Sequence, residues 1–261
     1  MELKLWEHDI PYYNAEAETP NLMTTYLLDT DQPLPCVVVF PGGGYRARAP
    51  YEGGPFAEYF NTQGLHAVVV EYRVAPNQHP APLADAQRAI RLVRHHAKEW
   101  NVDPDKIVVC GSSAGGHLSA STLVFPETYP EMPTDEIDTL DCRPNGAVLA
   151  YPVTNVGVEF GHAGTGLRLL GEERYLKQGK TACLAQYVTE KTPPVFMFHT
   201  SDDQTVNVKN SLLFGAALRD CNVPFEMHVF PHGVHGVGIA KNDPVMHQWI
   251  RMAADWIKRT I

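Results

Sequence analysis

Short runs of apolar residues recur along the 261-residue chain, and most are too short to form amphipathic helices. They are continuous and rich in valine and phenylalanine, as is typical of strands buried on both faces of a parallel sheet. These runs lie at residues 36–40, 67–72, 106–110, 146–152, 194–200 and 224–230.

Segments with helical periodicity separate these runs and close the chain, at residues 55–64, 82–100, 114–125, 208–222 and 244–260. In the second of them, apolar residues from Ile90 to Trp100 recur at the spacing of one helix face. Strands and helices in alternation predict right-handed crossovers. The pattern therefore predicts an α/β fold with a doubly wound, mostly parallel sheet, in a single domain over residues 1–261.

Three segments depart from this rhythm. Residues 1–31 contain "KLWE" and "LMTTYLLD", whose alternation predicts an antiparallel pair at the sheet edge. Residues 152–192 are rich in Gly, Thr and Tyr and longer than a plain crossover requires, so we expect a cap or active-site insert there. Residues 126–145 are acidic and proline-rich, and we expect a surface loop.

Composition narrows the function classes. The formal net charge of -9 argues against nucleic acid or an anionic membrane as partner, because both attract cationic surfaces. We find neither a secretory signal nor an apolar window long enough to span a membrane. The 5 cysteines are odd in number and form no CxxC, which favours reduced thiols and a cytoplasmic location, although a chain trimmed of its signal peptide would look the same. The sequence leaves open whether the protein is a homo-oligomer.

Candidate chemistry begins at "IVVCGSSAGGHLSA", residues 107–120. Gly111 to Gly115 fit the pattern G-x-S-x-G, with Ser113 at its centre, between a predicted strand and a predicted helix. That context is the one that a nucleophile elbow requires, because the sharp turn tolerates only minimal side chains beside the serine. The alternative interpretation is a glycine-rich turn that packs a helix closely on the sheet.

A nucleophilic serine needs a histidine as base and a carboxylate to orient it, and in this arrangement both follow strand ends. The acid is expected after the strand "PVFMFHT", where Asp202 and Asp203 compete. Asp203 is favoured because it lies four residues beyond His199 in a pattern H-x-x-x-D-x-x-V. The other aspartate would then cap a turn.

The base is expected in "PHGVHGVG", residues 231–238, after the last predicted strand. His235 is favoured over His232 because Gly236 follows it on a flexible loop, whereas His228 lies within the strand. The three histidines could also be metal ligands, but no acidic or thiolate ligand is near them in sequence, so we expect no metal site.

Three glycines in "PGGGY", residues 41–45, follow the first predicted parallel strand. Backbone N–H groups in such a loop can turn toward an oxyanion, beside the N–H of Ala114. A phosphate-binding loop is the alternative, but the spacing G-x-G-x-x-G and a Walker lysine are both missing.

Together, "PGGGY", "VVVEYRVAP", "VDPDKIVVCGSSAGGHLSA", "HTSDDQTV" and "PHGVHG" resemble the α/β-hydrolase superfamily, over about residues 20 to 260. More narrowly, they resemble the small carboxylesterases grouped with acetylxylan esterases and other carbohydrate acetyl esterases. Relatives of hormone-sensitive lipase carry His-Gly-Gly-Gly, whereas Pro41 occupies the place of that histidine here. This difference favours the sugar-esterase branch.

The resemblance implies a set of site residues. These are a triad of Ser113, His235 and Asp203, with Gly43, Gly44 and Ala114 as oxyanion donors. Tyr45 could line the acyl or sugar pocket, or could be a packed loop residue.

The implied function is a serine carboxylesterase that hydrolyses short-chain esters, above all acetyl esters of sugars, without a metal or organic cofactor. A serine peptidase or a lipase of the same fold is an alternative, although no partner domain or apolar lid is evident. A non-catalytic receptor on a hydrolase scaffold is another, but such a receptor typically lacks a member of the triad.

Overall fold

One eight-stranded sheet organises the protein, in a computed structural model that describes residues 1–126, 135–157, 159–179 and 183–261. The strand order is β1-β2-β4-β3-β5-β6-β7-β8. The strands are β1 (Glu2–Lys4), β2 (Leu22–Tyr26), β3 (Leu34–Phe40), β4 (His66–Glu71), β5 (Val102–Ser112), β6 (Gly146–Ala150), β7 (Val195–Thr200) and β8 (Phe225–Phe230). Most of the predicted surface loop, at residues 127–134, lies outside the described residues.

The sheet is parallel from β4 to β8, and β1 and β2 add an antiparallel edge, as predicted. The first strand lies ahead of the "KLWE" pattern at residues 4–7, shares only Lys4 with it and ends there. Trp6 instead turns inward and donates its indole N–H to the buried carboxylate of Asp85, at 2.9 Å. The tertiary contact therefore decides the end of this strand.

The strand β3 shows why continuous apolar runs form the centre of the sheet. Val38 and Phe40 face one hydrophobic core, whereas Val37 and Val39 face a second core on the other side. All four side chains are fully buried. A two-sided burial of this kind removes the polar positions that would mark a half-exposed strand.

Helices cover both faces. The helices that alternate with the strands or close the chain are α1 (Gly54–Thr62), α2 (Ala81–His95), α3 (Ala114–Val124), α6 (Lys209–Asp220) and α7 (Gln248–Thr260). Residues of α1 and α7 belong to one core, and residues of α2, α3 and α6 belong to the other. The last helix begins later than predicted because the Asp243 side chain accepts hydrogen bonds from the N–H groups of Val245 and Met246, which fixes a turn ahead of it.

The predicted insert carries two short helices, α4 (Ala163–Leu170) and α5 (Glu172–Gln178), followed by a 3-10 turn at Leu184–Tyr187. Its residues 158 and 180–182 lie outside the described residues. All five cysteines are free. In the described ranges, no helix combines the length and the apolar character that a bilayer crossing needs.

Candidate active site

The carboxyl ends of the parallel strands lie at one edge of the sheet, and the predicted site residues follow those ends. Ser113 follows β5, Asp203 lies three residues after β7, and His235 lies in the loop after β8. The glycine loop follows β3, the neighbour of β5. This edge is where open α/β sheets place their ligands.

The backbone at Ser113 has the strained geometry of a nucleophile elbow. Its φ of 52° and ψ of -115° lie outside the usual regions for a residue with a side chain. The two motif glycines make the turn feasible, since a methyl group on Gly111 would lie 2.1 Å from the Gly115 carbonyl oxygen, and one on Gly115 would lie 2.0 Å from that of Phe40. The Ser113 N–H donates to the Ala150 carbonyl, at 3.0 Å, which ties the elbow to β6.

A line of hydrogen bonds joins the three predicted residues. The Ser113 Oγ lies 2.9 Å from His235 Nε2, and His235 Nδ1 lies 2.7 Å from Asp203 Oδ2. With the proton on Nδ1, the imidazole donates to the carboxylate and accepts from the serine hydroxyl. The side chains of His235 and Asp203 are 17% and 1% exposed, so the line runs from the protein interior toward the solvent.

Asp203 is fixed by more than the histidine. Its Oδ1 accepts hydrogen bonds from the N–H groups of Thr205 and Val206, at 2.8 and 2.9 Å, and Nε2 of the buried His199 lies 3.5 Å from Oδ2. Burial alone would raise the pKa of this carboxyl. The hydrogen bonds from His199, His235 and the Val206 N–H outweigh burial and hold the pKa well below its usual range. Asp203 is thus a permanent carboxylate at neutral pH.

The competing residues have other partners. Asp202 Oδ2 lies 2.9 Å from His232 Nδ1 in an exposed pair, so the two less favoured candidates pair with each other. His228 lies 2.8 Å from Glu226 on the edge strand β8. The three histidines of the loop and strand thus face three different carboxylates instead of one common centre.

The glycine loop lies directly beside the nucleophile. A methyl group on Gly42 would lie 3.2 Å from Ser113 Cβ. Gly43 and Gly44 have φ values of +131° and +64°, which favour glycine, and a methyl group on Gly43 would lie 2.1 Å from the Ala47 carbonyl oxygen. Ala114 is the first residue of α3, where an N–H group has no acceptor within its own helix.

Tyr45 was expected either to line the substrate pocket or to be a packed loop residue. Its side chain is 1% exposed and packs edge-on against the rings of Tyr72 and His117. Its hydroxyl lies 3.1 Å from His117 Nδ1. A substrate in the cleft would not touch a ring buried in this way, so the structure favours the packed loop residue over the pocket wall.

Two residues of the insert interact with the site and were missed by the sequence analysis. Arg168 on α4 donates to the carbonyl of Gly44, at 3.2 Å, and so connects the insert with the glycine loop. His162 is half-buried; burial and the proximity of His235 and Arg168 lower its pKa, so it is neutral at neutral pH. Their only sequence signal was membership of a segment longer than a crossover needs.

A buried carboxylate behind the loop was also missed. Glu52 is 2% exposed and accepts hydrogen bonds from the Gly42 N–H and the Tyr151 hydroxyl. Tyr151 follows β6, between the strands that carry the nucleophile and the acid, and its ring contacts the imidazole of His235 edge-on. Neither residue belongs to a motif, although a tyrosine directly after a central strand was a signal that could have been used.

Comparison with known proteins agrees with this architecture. The family model BD-FAE matches residues 25–218. The chain is 36% identical over 253 residues to endo-1,4-beta-xylanase B of Butyrivibrio fibrisolvens, an alignment that covers 94% of this chain and 39% of the relative. It is 30% identical over 230 residues to an acetylxylan esterase of Xylanibacter ruminicola, covering 85% and 45%. The chain thus spans less than half the length of these two curated relatives.

Solved structures extend the likeness over the whole fold. An acetyl ester-xyloside bifunctional hydrolase from Caldicellulosiruptor lactoaceticus superimposes with a TM-score of 0.94 at 42% identity, covering 99% of this chain and 96% of that one. The carboxylesterase Cest-2923 from Lactobacillus plantarum gives a TM-score of 0.78 at 26% identity, covering 95% of each. The predicted α/β-hydrolase fold is confirmed, and the chain belongs to the BD-FAE family.

Proposed function

We propose that the protein is a serine carboxylesterase that removes short acyl groups, acetyl above all, from sugar esters. The observation that carries the proposal is the hydrogen-bonded line from Ser113 through His235 to Asp203 at the sheet edge. A serine hydroxyl becomes a useful nucleophile only when a base accepts its proton and a carboxylate holds that base in the correct tautomer. Both conditions are met, and the three residues follow three separate strand ends.

In the acylation step, Ser113 Oγ attacks the ester carbonyl while its proton moves to His235 Nε2. Asp203 stabilises the imidazolium through the 2.7 Å contact to Nδ1. The developing oxyanion is bound by N–H groups of the glycine loop, at Gly43 and Gly44, and of Ala114. The imidazolium then protonates the alkoxide that leaves as the alcohol. One oxyanion donor of this kind typically contributes about 10²- to 10³-fold to the rate.

In the deacylation step, water attacks the acyl-enzyme with His235 again as base. The same oxyanion donors serve the second tetrahedral intermediate, so the cycle uses one set of groups twice. The residues assigned to these steps carry out the chemistry without a metal or organic cofactor.

Two features support an acylated saccharide as substrate. Relatives aligned over most of this chain are named acetylxylan esterase and acetyl ester-xyloside bifunctional hydrolase. The insert also brings polar side chains toward the site, since Arg168 donates to the Gly44 carbonyl and His162 interacts electrostatically with His235. Polar groups suit the hydroxyls of a sugar leaving group better than a long acyl chain.

Xyloside hydrolysis is a second candidate, because one structural neighbour carries that activity in its name. Cleavage of a glycoside usually needs two carboxyl groups that flank the scissile bond. At this site the carboxylates of Asp203 and Glu52 are both engaged in hydrogen bonds from the protein. The arrangement therefore favours ester cleavage, and an aryl xyloside belongs in the assay as a comparison.

The decisive experiment replaces Ser113 by alanine and measures p-nitrophenyl acetate hydrolysis together with labelling by a fluorophosphonate probe. We expect the Ser113→Ala protein to fold, to lose the label and to lose turnover by several orders of magnitude. Ser112→Ala is the matched control, because it removes the neighbouring hydroxyl of the same motif, and it should keep the label. An active, labelled Ser113→Ala protein would refute the proposal.

The substrate class needs a separate panel of acetylated xylo-oligosaccharides and aryl esters of increasing acyl length. We expect kcat/KM to be highest for acetyl esters and to fall as the acyl chain grows. Turnover confined to long acyl chains would overturn the acetyl preference while leaving the serine mechanism intact.

A further inference from the structure

A buried carboxylate connects the two loops that surround the reacting serine. Glu52 follows the glycine loop in sequence, at the end of a 3-10 turn (Pro50–Glu52), and is 2% exposed. Its Oε2 accepts a hydrogen bond from the N–H of Gly42, at 2.8 Å, on the loop that faces the nucleophile. A methyl group on Gly42 would lie 2.4 Å from the same oxygen, so the carboxylate packs tightly against the loop backbone.

The other oxygen of Glu52 leads to the histidine loop. Its Oε1 accepts a hydrogen bond from the Tyr151 hydroxyl, at 2.7 Å, and that hydroxyl accepts one from the N–H of Gly238, at 3.1 Å. Gly238 lies three residues after His235 on the same loop. The Tyr151 ring meets the imidazole edge-on, with 5.1 Å between the ring centroids. One carboxylate and one phenol thereby tie the glycine loop to the base.

The direction of these hydrogen bonds matches a carboxylate that carries its charge. Both of its oxygens face donors, and the Tyr151 hydroxyl directs its proton to Glu52 while it accepts from the Gly238 N–H. A buried carboxylate with no role costs stability, and a glutamine of the same shape would avoid most of that cost. A buried glutamate at this place therefore calls for a functional reason.

We propose that Glu52 and Tyr151 act as a positioning pair that fixes the glycine loop and the histidine loop relative to Ser113, and that the Glu52 charge stabilises the imidazolium formed during catalysis. This inference rests on the proposed esterase function. It gives the base two counter-charges, Asp203 in direct contact and Glu52 through the aromatic ring. Neither Glu52 nor Tyr151 touches the reacting atoms.

The charge of Glu52 is expected to act mainly on His235, given the other titratable groups near it. The titratable side chains that interact electrostatically with Glu52 include Tyr51, Tyr72, Cys110, Tyr151 and His235. Of these, only the imidazole gains a positive charge in the reaction cycle. His235 is also in contact with Asp203 and interacts electrostatically with His162.

The direction of the pKa shift of Glu52 predicts how the stability of a glutamine variant changes with pH. Burial raises the pKa of this carboxyl, and the hydrogen bonds from Tyr151 and Gly42 and the proximity of His235 only partly oppose the rise. A folded-state pKa above the unfolded value contributes stability below the unfolded pKa, and that contribution is lost as the pH rises through the folded pKa. Glutamine at this position should therefore not destabilise the protein at pH 8, and its advantage should shrink toward pH 4.

The test compares Glu52→Gln, Tyr151→Phe and the double variant on p-nitrophenyl acetate, with kcat and KM measured across pH. We expect Glu52→Gln to lower kcat about 10- to 100-fold, because loops displaced by fractions of an ångström lose the reactive geometry, while KM stays within about twofold. The acid limb of kcat/KM should move to lower pH by about half a unit or more, since the imidazolium loses a counter-charge. Glu58→Gln, an exposed glutamate on α1, is the matched control and should behave as the wild type.

Tyr151→Phe removes the bridge to Gly238 but leaves the charge. It should lower kcat about 3- to 10-fold with the acid limb unmoved, and the double variant should lose little more than Glu52→Gln alone. If the acid limb of kcat/KM is unmoved in Glu52→Gln, the inference is overturned, whether or not kcat falls. Should that variant not fold, wild-type kinetics of Tyr151→Phe would overturn it instead. The esterase proposal is judged separately, by Ser113→Ala.

Discussion

The carboxylate of Asp203 provides the sharpest prediction, because its two oxygens have different partners. Oδ2 faces His235 Nδ1 at 2.7 Å, and Oδ1 accepts the N–H groups of Thr205 and Val206 at 2.8 and 2.9 Å. The substitution Asp203→Asn keeps the shape of the side chain but replaces one acceptor by an NH₂ donor. The amide can then accept from the histidine Nδ1–H or from the backbone, but not from both.

Two orientations of the amide can be compared in energy. With its NH₂ toward the two backbone N–H groups, two buried donors lose their acceptor, at about 1–3 kcal/mol each. With its NH₂ toward His235, the backbone bonds survive, but Nδ1 must accept and the ring proton moves to Nε2, opposite Ser113. The second orientation costs less in the folded protein and removes the base. Loss of the correct tautomer in a serine triad typically lowers kcat by about 10⁴-fold, which is about 5.4 kcal/mol of transition-state stabilisation.

The assay is kcat on p-nitrophenyl acetate, with thermal unfolding measured in parallel. Asp202→Asn is the control, because Asp202 is the neighbouring aspartate and pairs with His232 at the surface; its kcat should stay within about twofold of the wild type. A loss smaller than about tenfold in Asp203→Asn, or an equal loss in both variants, would contradict the assignment of Asp203 as the orienting acid.

Two further predictions concern the frame of the site. Gly115→Ala should destabilise the protein by about 3 kcal/mol or more in urea unfolding, because the new methyl would lie 2.0 Å from a backbone oxygen of β3. Gly64→Asn is the control: this position lies in open space at a helix end, so the substitution should cost less than about 1 kcal/mol. Equal losses of stability in the two variants would contradict the argument. Arg168→Ala removes the contact to the Gly44 carbonyl and should lower kcat/KM about 3- to 10-fold, since the insert no longer holds the glycine loop. Arg174→Ala on the exposed side of α5 should have no effect on kcat/KM, and parity between the two arginine variants would refute this role of the insert.

The fold was predictable because its central strands are unambiguous. The run at residues 36–40 is buried on both faces of the sheet, so a continuous apolar stretch identifies it as a strand without any need to assign residues to one face or the other. Strand and helix ends were less predictable, because they depend on tertiary contacts. β1 ends early where Trp6 turns to Asp85, and α7 begins late where Asp243 fixes a turn.

The proximity of the three triad candidates was predictable for a related reason. Each of them follows a strand of one parallel sheet, so topology alone brings them to the same edge. The choice between Asp202 and Asp203 rested on spacing from His199, and the contact between His199 and Asp203 gives that spacing a physical basis.

The rest of the site depends on how loops pack, which local patterns do not encode. Tyr45 follows the glycine loop in sequence, yet its left-handed backbone, with φ of 53°, accompanies a ring that is buried between Tyr72 and His117. Arg168 contacts the glycine loop, and His162 interacts electrostatically with His235, only because of the way the insert packs. Their positions follow from tertiary structure alone.

The two carboxylates around His235 respond to pH in opposite ways, and this difference links the architecture to regulation of the reaction. Hydrogen bonds hold the pKa of Asp203 below its usual range, whereas burial raises the pKa of Glu52. As the pH falls, Glu52 therefore takes up its proton first, and the imidazolium loses the more distant of its two counter-charges while the nearer one remains. Activity in mild acid should then decline through electrostatics before the orienting acid fails, and Glu52→Gln should remove the first of these two stages.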